Sequence, residues 1–350
     1  MHRIVHLIPY HAIGGVEIAA KSLPTISTGK VQMERQYLVR KPGSSTYTGE
    51  YHGPNISLNS PRAYFHAIWR LYQDPPDLLV ASLWRSALVL ILVKLLRPRM
   101  KTVIFLHSDK DAHFADKLVS QIAMRASNAI WADSTATLMK RVPCRLQSKG
   151  RVISFLVEQR ALPQTREPEP RFVFWGRLSA EKGLKRAVEL FASIAARRSN
   201  AQLTLIGPDG GMEDDLRTQI SELGLSELVT FKGPMQHDEI VCEAKQASFY
   251  LQTSREEGMA MSVVEAMQAG LVPVVTPVGE IPRYCRNGES AVIVHDDNAA
   301  MEAVLALLSE PERYRRMSRA AAKYWQKKPI YRDDFLIAAK DLIARPDNEA

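Results

Sequence analysis

Short apolar runs alternate along this chain with longer stretches whose apolar positions recur every three to four residues, the pattern of parallel α/β layers. In the first part, Arg3–Ile8, Leu78–Ser82, Thr102–Leu106, Ile130–Ala132 and Arg151–Val157 predict strands, with helices from about Val16 and over Ser86–Leu96. Next comes Pro163-Gln-Thr-Arg-Glu-Pro168-Glu-Pro170, whose prolines and charges fit no regular element and predict an interdomain linker. The rhythm then resumes. Strands over Phe172–Trp175, Gln202–Ile206, Val229–Lys232, Ser248–Leu251, Val272–Val275 and Ala291–Val294 alternate with helices over Gly183–Arg198, Met212–Leu223, Asp238–Ala244 and Ser262–Ala269. Ala299–Leu308, Glu312–Lys327 and Phe335–Ala344 predict terminal helices. Two Rossmann-like domains follow, residues 1–163 and 164–330, with a cleft expected at the carboxyl ends of both sheets, where open α/β sheets bind ligands.

Composition narrows the class. A chain of 350 residues with 46% apolar and 24% charged residues is neither disordered nor fibrous. Cys144, Cys242 and Cys285 are far apart, which predicts reduced thiols and a cytoplasmic setting rather than a disulfide framework. His6, Pro9, Tyr10 and His11 interrupt the first residues, so no signal peptide is expected. The longest apolar run, Ala87–Val93, is far short of the ~20 residues that span a bilayer.

The net charge of +8 is unevenly shared, with +12 on residues 1–163 and −4 on 164–350. A basic first half suggests an anionic ligand, a phospholipid surface or nucleic acid. Nucleic acid is disfavoured, because no aromatic-interleaved basic run or helix-turn-helix accompanies the charge. The densest cluster, Lys94, Arg97, Arg99 and Lys101, has two readings. It complements the dipole at a helix C-terminus, or it faces an anionic membrane or acceptor.

Four places look chemical. Gly14 and Gly15 stand between the first strand and first helix, where backbone can approach a ligand and a helix N-terminus attracts an anion. Gly176-Arg-Leu-Ser-Ala-Glu-Lys-Gly183 leaves a strand and enters a helix, with Arg177 and Lys182 placed to aim at one diphosphate. In Ser254-Arg-Glu-Glu-Gly-Met-Ala-Met-Ser-Val-Val-Glu265, Glu257 and Glu265 are suited to hold vicinal hydroxyls, with Glu256 as the alternative first carboxylate. The N–H groups of Gly258 to Met261 open a helix beside them. His107 follows a strand, where it can hydrogen-bond a hydroxyl or move a proton. Each alone fits an ordinary turn, capped helix or solvated surface.

Their order changes this. An early GG loop, then G-R-L-S-x-E-K-G, then E-G-x6-E-A-M about 75 residues later, resembles the retaining nucleotide-sugar glycosyltransferases of the GT-B fold, family 4. The resemblance implies that Arg177 and Lys182 grip the diphosphate of a UDP- or GDP-sugar. It implies that Glu257, with Gly258, Met259, Ala260 and Met261, holds the sugar, and that Glu265 holds the ribose. Gly176 shapes the diphosphate loop, Gly233, Pro234 and Met235 flank the base, Gly14 and Gly15 lie near phosphates or acceptor, and His107 lies near the donor sugar. No metal and no cofactor is implied, and Asp109-Lys-Asp111 is the sole DxD spelling. The acceptor would be a glycan or lipid-linked sugar, in bacterial surface polysaccharide or lipopolysaccharide assembly, with the enzyme cytoplasmic or peripheral on the inner membrane face. Residues 331–350 would cross back to the first domain. Met259 and Ala260 stand where the family often has Phe and Gly, which bears on loop geometry. An epimerase or hydrolase on the same scaffold and a non-catalytic nucleotide-sugar-binding subunit are the competing readings.

Overall fold

The computed structural model describes residues 2–10, 15–23, 31–40, 49–108, 110–164 and 166–346. The chain divides into two compact units, residues 1–158 with 329–350, and residues 159–328.

In chain order the first unit holds β1 (His2–Ile8), α1 (Gly15–Ser22), β2 (Val31–Tyr37), β3 (Glu50–His52), α2 (Pro61–Gln73), β4 (Leu78–Ser82), α3 (Trp84–Leu96), β5 (Lys101–Leu106), α4 (Phe114–Ala126), β6 (Ala129–Ala132), α5 (Thr135–Arg141) and β7 (Gly150–Val152). Its seven strands are all parallel, in the order β3-β2-β1-β4-β5-β6-β7. The central strands are buried on both faces, which is why they read as unbroken apolar runs. β2 is different. Its Arg35 is buried, paired with Glu50 at 2.8 Å, and donates to the carbonyls of Ala20, Lys21 and Leu23 where α1 ends. A buried charge is tolerated only with such partners.

The second unit contains β8 (Arg171–Trp175), α6 (Leu184–Ala195), β9 (Gln202–Ile206), α7 (Glu213–Glu222), β10 (Val229–Gly233), α8 (His237–Ala244), β11 (Phe249–Gln252), α9 (Met261–Gln268), β12 (Val272–Val275), α10 (Ile281–Tyr284), β13 (Val292–Ile293), α11 (Asp297–Ser309) and α12 (Pro311–Trp325). Its parallel sheet runs β10-β9-β8-β11-β12-β13. α6 buries Leu184, Ala187, Val188, Phe191 and Ile194, the one-sided stripe of its sequence. The stretch expected as a linker belongs to this unit. Arg166 donates to the carbonyls of Ala244 and Lys245 at the end of α8 and of Ala269 after α9, and the Glu169 N–H reaches Ser248 Oγ. One guanidinium thus satisfies two helix C-termini, and the prolines make an extended strap rather than a free tether.

α13 (Tyr331–Ala344) belongs to the first unit. Tyr331 stacks on Phe105 and Phe335 meets Trp131 edge-on, while Arg151 pairs with Asp334 and Asp341. Lys101 donates to the carbonyls of Leu342, Ile343 and Arg345 at the end of this helix. Lys94 bonds Met100 O and Asn128 Oδ1, and Arg97 bonds Tyr72 O. Of this cluster, which fits either a helix-dipole complement or a membrane- or acceptor-facing patch, Lys94, Arg97 and Lys101 are thus hydrogen-bonded within the fold. Only Arg99 of the four has no such contact among the described residues.

Candidate functional site

β8 and β11 are neighbours and parallel, so the loops after them leave the same end of the sheet. The first loop turns at Gly176, passes Arg177 and forms a single 3-10 turn over Ala180–Lys182 before α6. The second runs from Thr253 to α9. Thr253 Oγ1 donates to Gly183 O at 2.7 Å and the Arg255 N–H to Glu181 O at 2.8 Å, which ties one loop to the other.

This brings Lys182 against Glu257. The ammonium lies 2.7 Å from Glu257 Oε1, and the same oxygen accepts from Gln252 Nε2 and Ser254 Oγ, each at 2.7 Å. Glu257 is 7% exposed and Lys182 21%, so the pair is shielded from bulk water and weakly screened. Glu257 Oε2 carries no hydrogen bond among the described residues, and the N–H groups of Gly258, Met259, Ala260 and Met261 donate to none of them. From behind, the Glu280 N–H takes Gly258 O and the Tyr284 hydroxyl takes Met259 O. Ala260 holds φ 54, ψ 63, the left-handed turn that a glycine takes at lower cost. A carboxylate oxygen and a run of helix-opening donors are thus left for a polyol or an anion.

Glu265, on α9, accepts from Trp175 Nε1 at 2.9 Å. The Tyr250 hydroxyl is 2.6 Å from Gln252 Oε1 and 3.1 Å from Trp175 O, and Ser262 Oγ donates to Gln252 Oε1. Burial, with the charges of Glu257 and Glu265 adding, pushes the Tyr250 phenol well above its ordinary range, so it stays an O–H donor. The two carboxylates expected to hold sugar and ribose are therefore linked through Gln252, Tyr250 and Trp175. Sequence reasoning missed these three. The available signal was Gln252, a polar residue ending an otherwise apolar strand.

The Arg177 side chain is exposed and makes no hydrogen bond or ion pair among the described residues. It lies near enough to Glu181 to act on it. The Ser179 hydroxyl chiefly holds that carboxyl below its usual range, with Lys182 and Arg177 contributing. Gly233 ends the edge strand β10, and Pro234 and Met235 follow it. Gly233 O accepts the Gly207 N–H, Arg217 covers the Phe231 ring, and Lys232 pairs with Glu243. A cavity of about 760 Å³ lies beside the joined loops, lined in part by Gly183, Arg186, Ser254, Arg255 and His295; neither Lys182 nor Glu257 lines it.

The remaining candidates are in the first unit. Gly14 lies outside the described residues, and Gly15 opens α1. His107 follows β5, with Nε2 2.8 Å from Ser82 Oγ, and His6 Nε2 approaches the same hydroxyl at 2.8 Å. Leu83, next to Ser82, holds φ 68, ψ 152, a conformation stored only where surrounding structure enforces it. Burial, with Arg35 adding, lowers His6 to about 3. Burial, then His6 and Arg141, holds His107 well below the usual imidazole range. Both are neutral near pH 7, so His107 is a hydrogen-bonding group there and not a cation.

An acid-stability prediction follows. The unfolded chain protonates His6 near pH 6.5 and the folded chain does so only near 3, so this contribution is intact above pH 6.5 and lost on acidification. The expected loss is about 1.4 kcal/mol per pH unit from His6 alone, before carboxylates titrate below about pH 4.5. Urea unfolding at pH 7, 6 and 5 checks it; equal stability at all three contradicts the burial of a neutral His6.

Comparison with known proteins completes the picture. Residues 158–324 match the family described as "Glycosyl transferases group 1". The chain is 32% identical over 154 residues to the GDP-mannose:cellobiosyl-diphosphopolyprenol alpha-mannosyltransferase of Xanthomonas campestris, covering 43% of this chain and 40% of that protein. It is 28% identical over 227 residues to the enzyme of the same name from Komagataeibacter xylinus, covering 60% and 56%. The aligned part thus spans about half the length of these relatives. Among solved structures, Anabaena HepE in complex with UDP and glucose superposes with a TM-score of 0.78 at 16% identity, over 97% of this chain and 99% of that one. The apo lipopolysaccharide outer core galactosyltransferase WaaB gives 0.71 at 18%, over 97% and 99%. The loops that join Lys182 to Glu257 lie wholly inside the segment that matches the group 1 glycosyltransferase family, and the chain has the GT-B fold.

Proposed function

We propose that this chain moves a hexose from a UDP- or GDP-sugar to a glycan or lipid-linked acceptor, with retention at the anomeric carbon and without a metal, in the assembly of a bacterial surface polysaccharide or lipopolysaccharide. One observation carries the reading: the Lys182 ammonium meets the Glu257 carboxylate at 2.7 Å, next to four N–H groups with no acceptor among the described residues. The names of the relatives, with GDP-mannose as donor and a diphosphopolyprenol acceptor, support a lipid-linked substrate.

In this reading Glu257 Oε2 and the N–H groups of Gly258 to Met261 position the sugar hydroxyls, and Glu265 the ribose. Lys182, held by Glu257, and Arg177, exposed and ready to move, meet the diphosphate. As the bond from the anomeric carbon to the diphosphate oxygen breaks, negative charge grows on the leaving group, and these cations stabilise it more than they stabilise the bound donor. The acceptor hydroxyl oxygen then bonds to the same carbon from the same face, and its proton passes to the departing diphosphate oxygen. Neutral His107 donates or accepts a hydrogen bond at the sugar. Ala260 preserves the left-handed turn, which supports a competent loop over a binding-only subunit.

A thermal-unfolding panel with UDP-, GDP- and ADP-sugars tests this. A bound donor at 100 times its dissociation constant adds about 2.7 kcal/mol and raises the transition by several degrees. No shift with any of the three overturns the reading. Product analysis with donor alone separates transfer from hydrolysis and epimerisation.

A further inference from the structure

α2, α3 and α4 lie side by side on one face of the first sheet, and their inner sides fill its core with Ala67, Leu71, Val89, Leu90, Val93 and Ala123. Helices of this kind ordinarily turn a polar stripe outward. These do not. Phe65 and Trp69 stand outward on α2, their rings stacked; Leu95 and Leu96 do so on α3, and Phe114 and Leu118 on α4. Phe65 is 69% exposed, Leu95 72% and Phe114 79%. Nine of the fourteen large apolar side chains exposed among the described residues belong to these three helices, whereas the second unit has two, Leu162 and Leu223. An apolar surface concentrated in this way marks an interaction face.

Charge selects the partner. The three helices carry Arg62, Lys117 and Arg125 exposed, and a single carboxylate, Asp116, which is buried and engaged by Arg141. Of the described carboxylates in the flanking loops, Asp74 pairs with the Arg3 guanidinium and Asp111 with Arg141, while Asp77 accepts from the Arg3 backbone N–H; Asp74 and Asp77 stay partly exposed at the edge of the face. A broad face of aromatic and aliphatic side chains, on which the exposed charges borne by the helices themselves are all positive, matches a surface that is apolar beneath and negative on top. No helix among the described residues is long and apolar enough to cross a membrane, so contact would be with one leaflet.

We propose that the outer face of α2, α3 and α4 seats the protein on an anionic phospholipid bilayer, with Trp69, Phe65 and Phe114 entering the headgroup boundary. This face differs from the Lys94–Lys101 cluster, whose lysines are occupied within the fold. It is independent of the sugar-transfer reading.

Sedimentation of the full chain with vesicles of phosphatidylcholine alone, and of phosphatidylcholine mixed with phosphatidylglycerol, provides the test. Binding is expected to the mixed vesicles and to weaken with salt. The triple variant Phe65→Ser, Leu95→Ser, Phe114→Ser should lower it by at least tenfold. Arg62→Gln, Lys117→Gln and Arg125→Gln should each lower it about fivefold. Unfolding temperature without vesicles, and the shift produced by a nucleotide sugar, should match the parent. The proposal is overturned by absence of binding to mixed vesicles, by equal binding of the triple variant, or by light scattering that shows a dimer which the triple variant dissolves. In the last case the face belongs to a second copy of the chain. Loss of vesicle binding with donor binding intact leaves the proposed reaction standing, and the converse leaves the surface standing.

Discussion

Replacement of Lys182 by alanine is expected to lower sugar transfer by about 10²–10³-fold, the range for removing one preorganised group from a developing anion. The structure makes a second demand on the same substitution. Glu257 keeps Gln252 and Ser254 as donors but loses its only cation within 4 Å among the described residues, so the stability cost should be modest, about 1–2 kcal/mol. Glu257→Gln separates charge from shape. Its amide oxygen still accepts from Gln252 and Ser254, while the charge that holds Lys182 is gone. Both variants should unfold cooperatively near the parent temperature and fail in a radiolabelled-donor assay. Turnover at the parent rate in Lys182→Ala defeats the diphosphate assignment, and a folded, fully active Glu257→Gln defeats the sugar assignment.

Gly183→Ala should be a strongly damaging single-methyl change at the joined loops. At φ 64 the residue is already in a region that costs an L-residue about 1–2 kcal/mol, and its Cβ would lie 2.0 Å from Thr253 O. The obstacle is backbone, so the joined loops must part, at an added cost of about 1–3 kcal/mol. Gly224 supplies the control. It has φ 68, and an added Cβ there has nothing within 4 Å, so Gly224→Ala should show the backbone penalty alone. Chemical denaturation of the two variants reads the difference, and the donor-induced thermal shift should collapse in Gly183→Ala only. Equal stabilities contradict the close approach of the two loops.

Where strand and helix periods were clean, the fold was legible. The buried parallel strands read as apolar runs and α6 as a one-sided helix, and the two loops of the candidate site, which the fold brings together, stood out by residue type and order. Elements with mixed faces were not. α2 and α4 went unplaced because Phe65, Trp69, Phe114 and Leu118 face outward and blur the three-to-four spacing. β2 went unplaced because Arg35 and Gln36 are buried in it; Arg35 is satisfied by Glu50 and by carbonyls at the end of α1, and Gln36 by Glu34 on its own strand. The proline-rich stretch looked like a tether because Arg166 finds its acceptors 78 to 103 residues away. Likewise the spacing of Lys182 and Glu257 is uninformative until β8 and β11 pair.

α13 has a consequence for how the protein is made. Asp334 and Asp341 pair with Arg151, and Phe335 packs on Trp131, about two hundred positions earlier in the chain. During synthesis on the ribosome the first sheet emerges early but must wait with an uncovered aromatic face until some 180 further residues have been translated. Residues 159–328 can close on themselves in that interval. The N-terminal sheet should therefore be the last part to resist protease in nascent chains, and the part most in need of a chaperone.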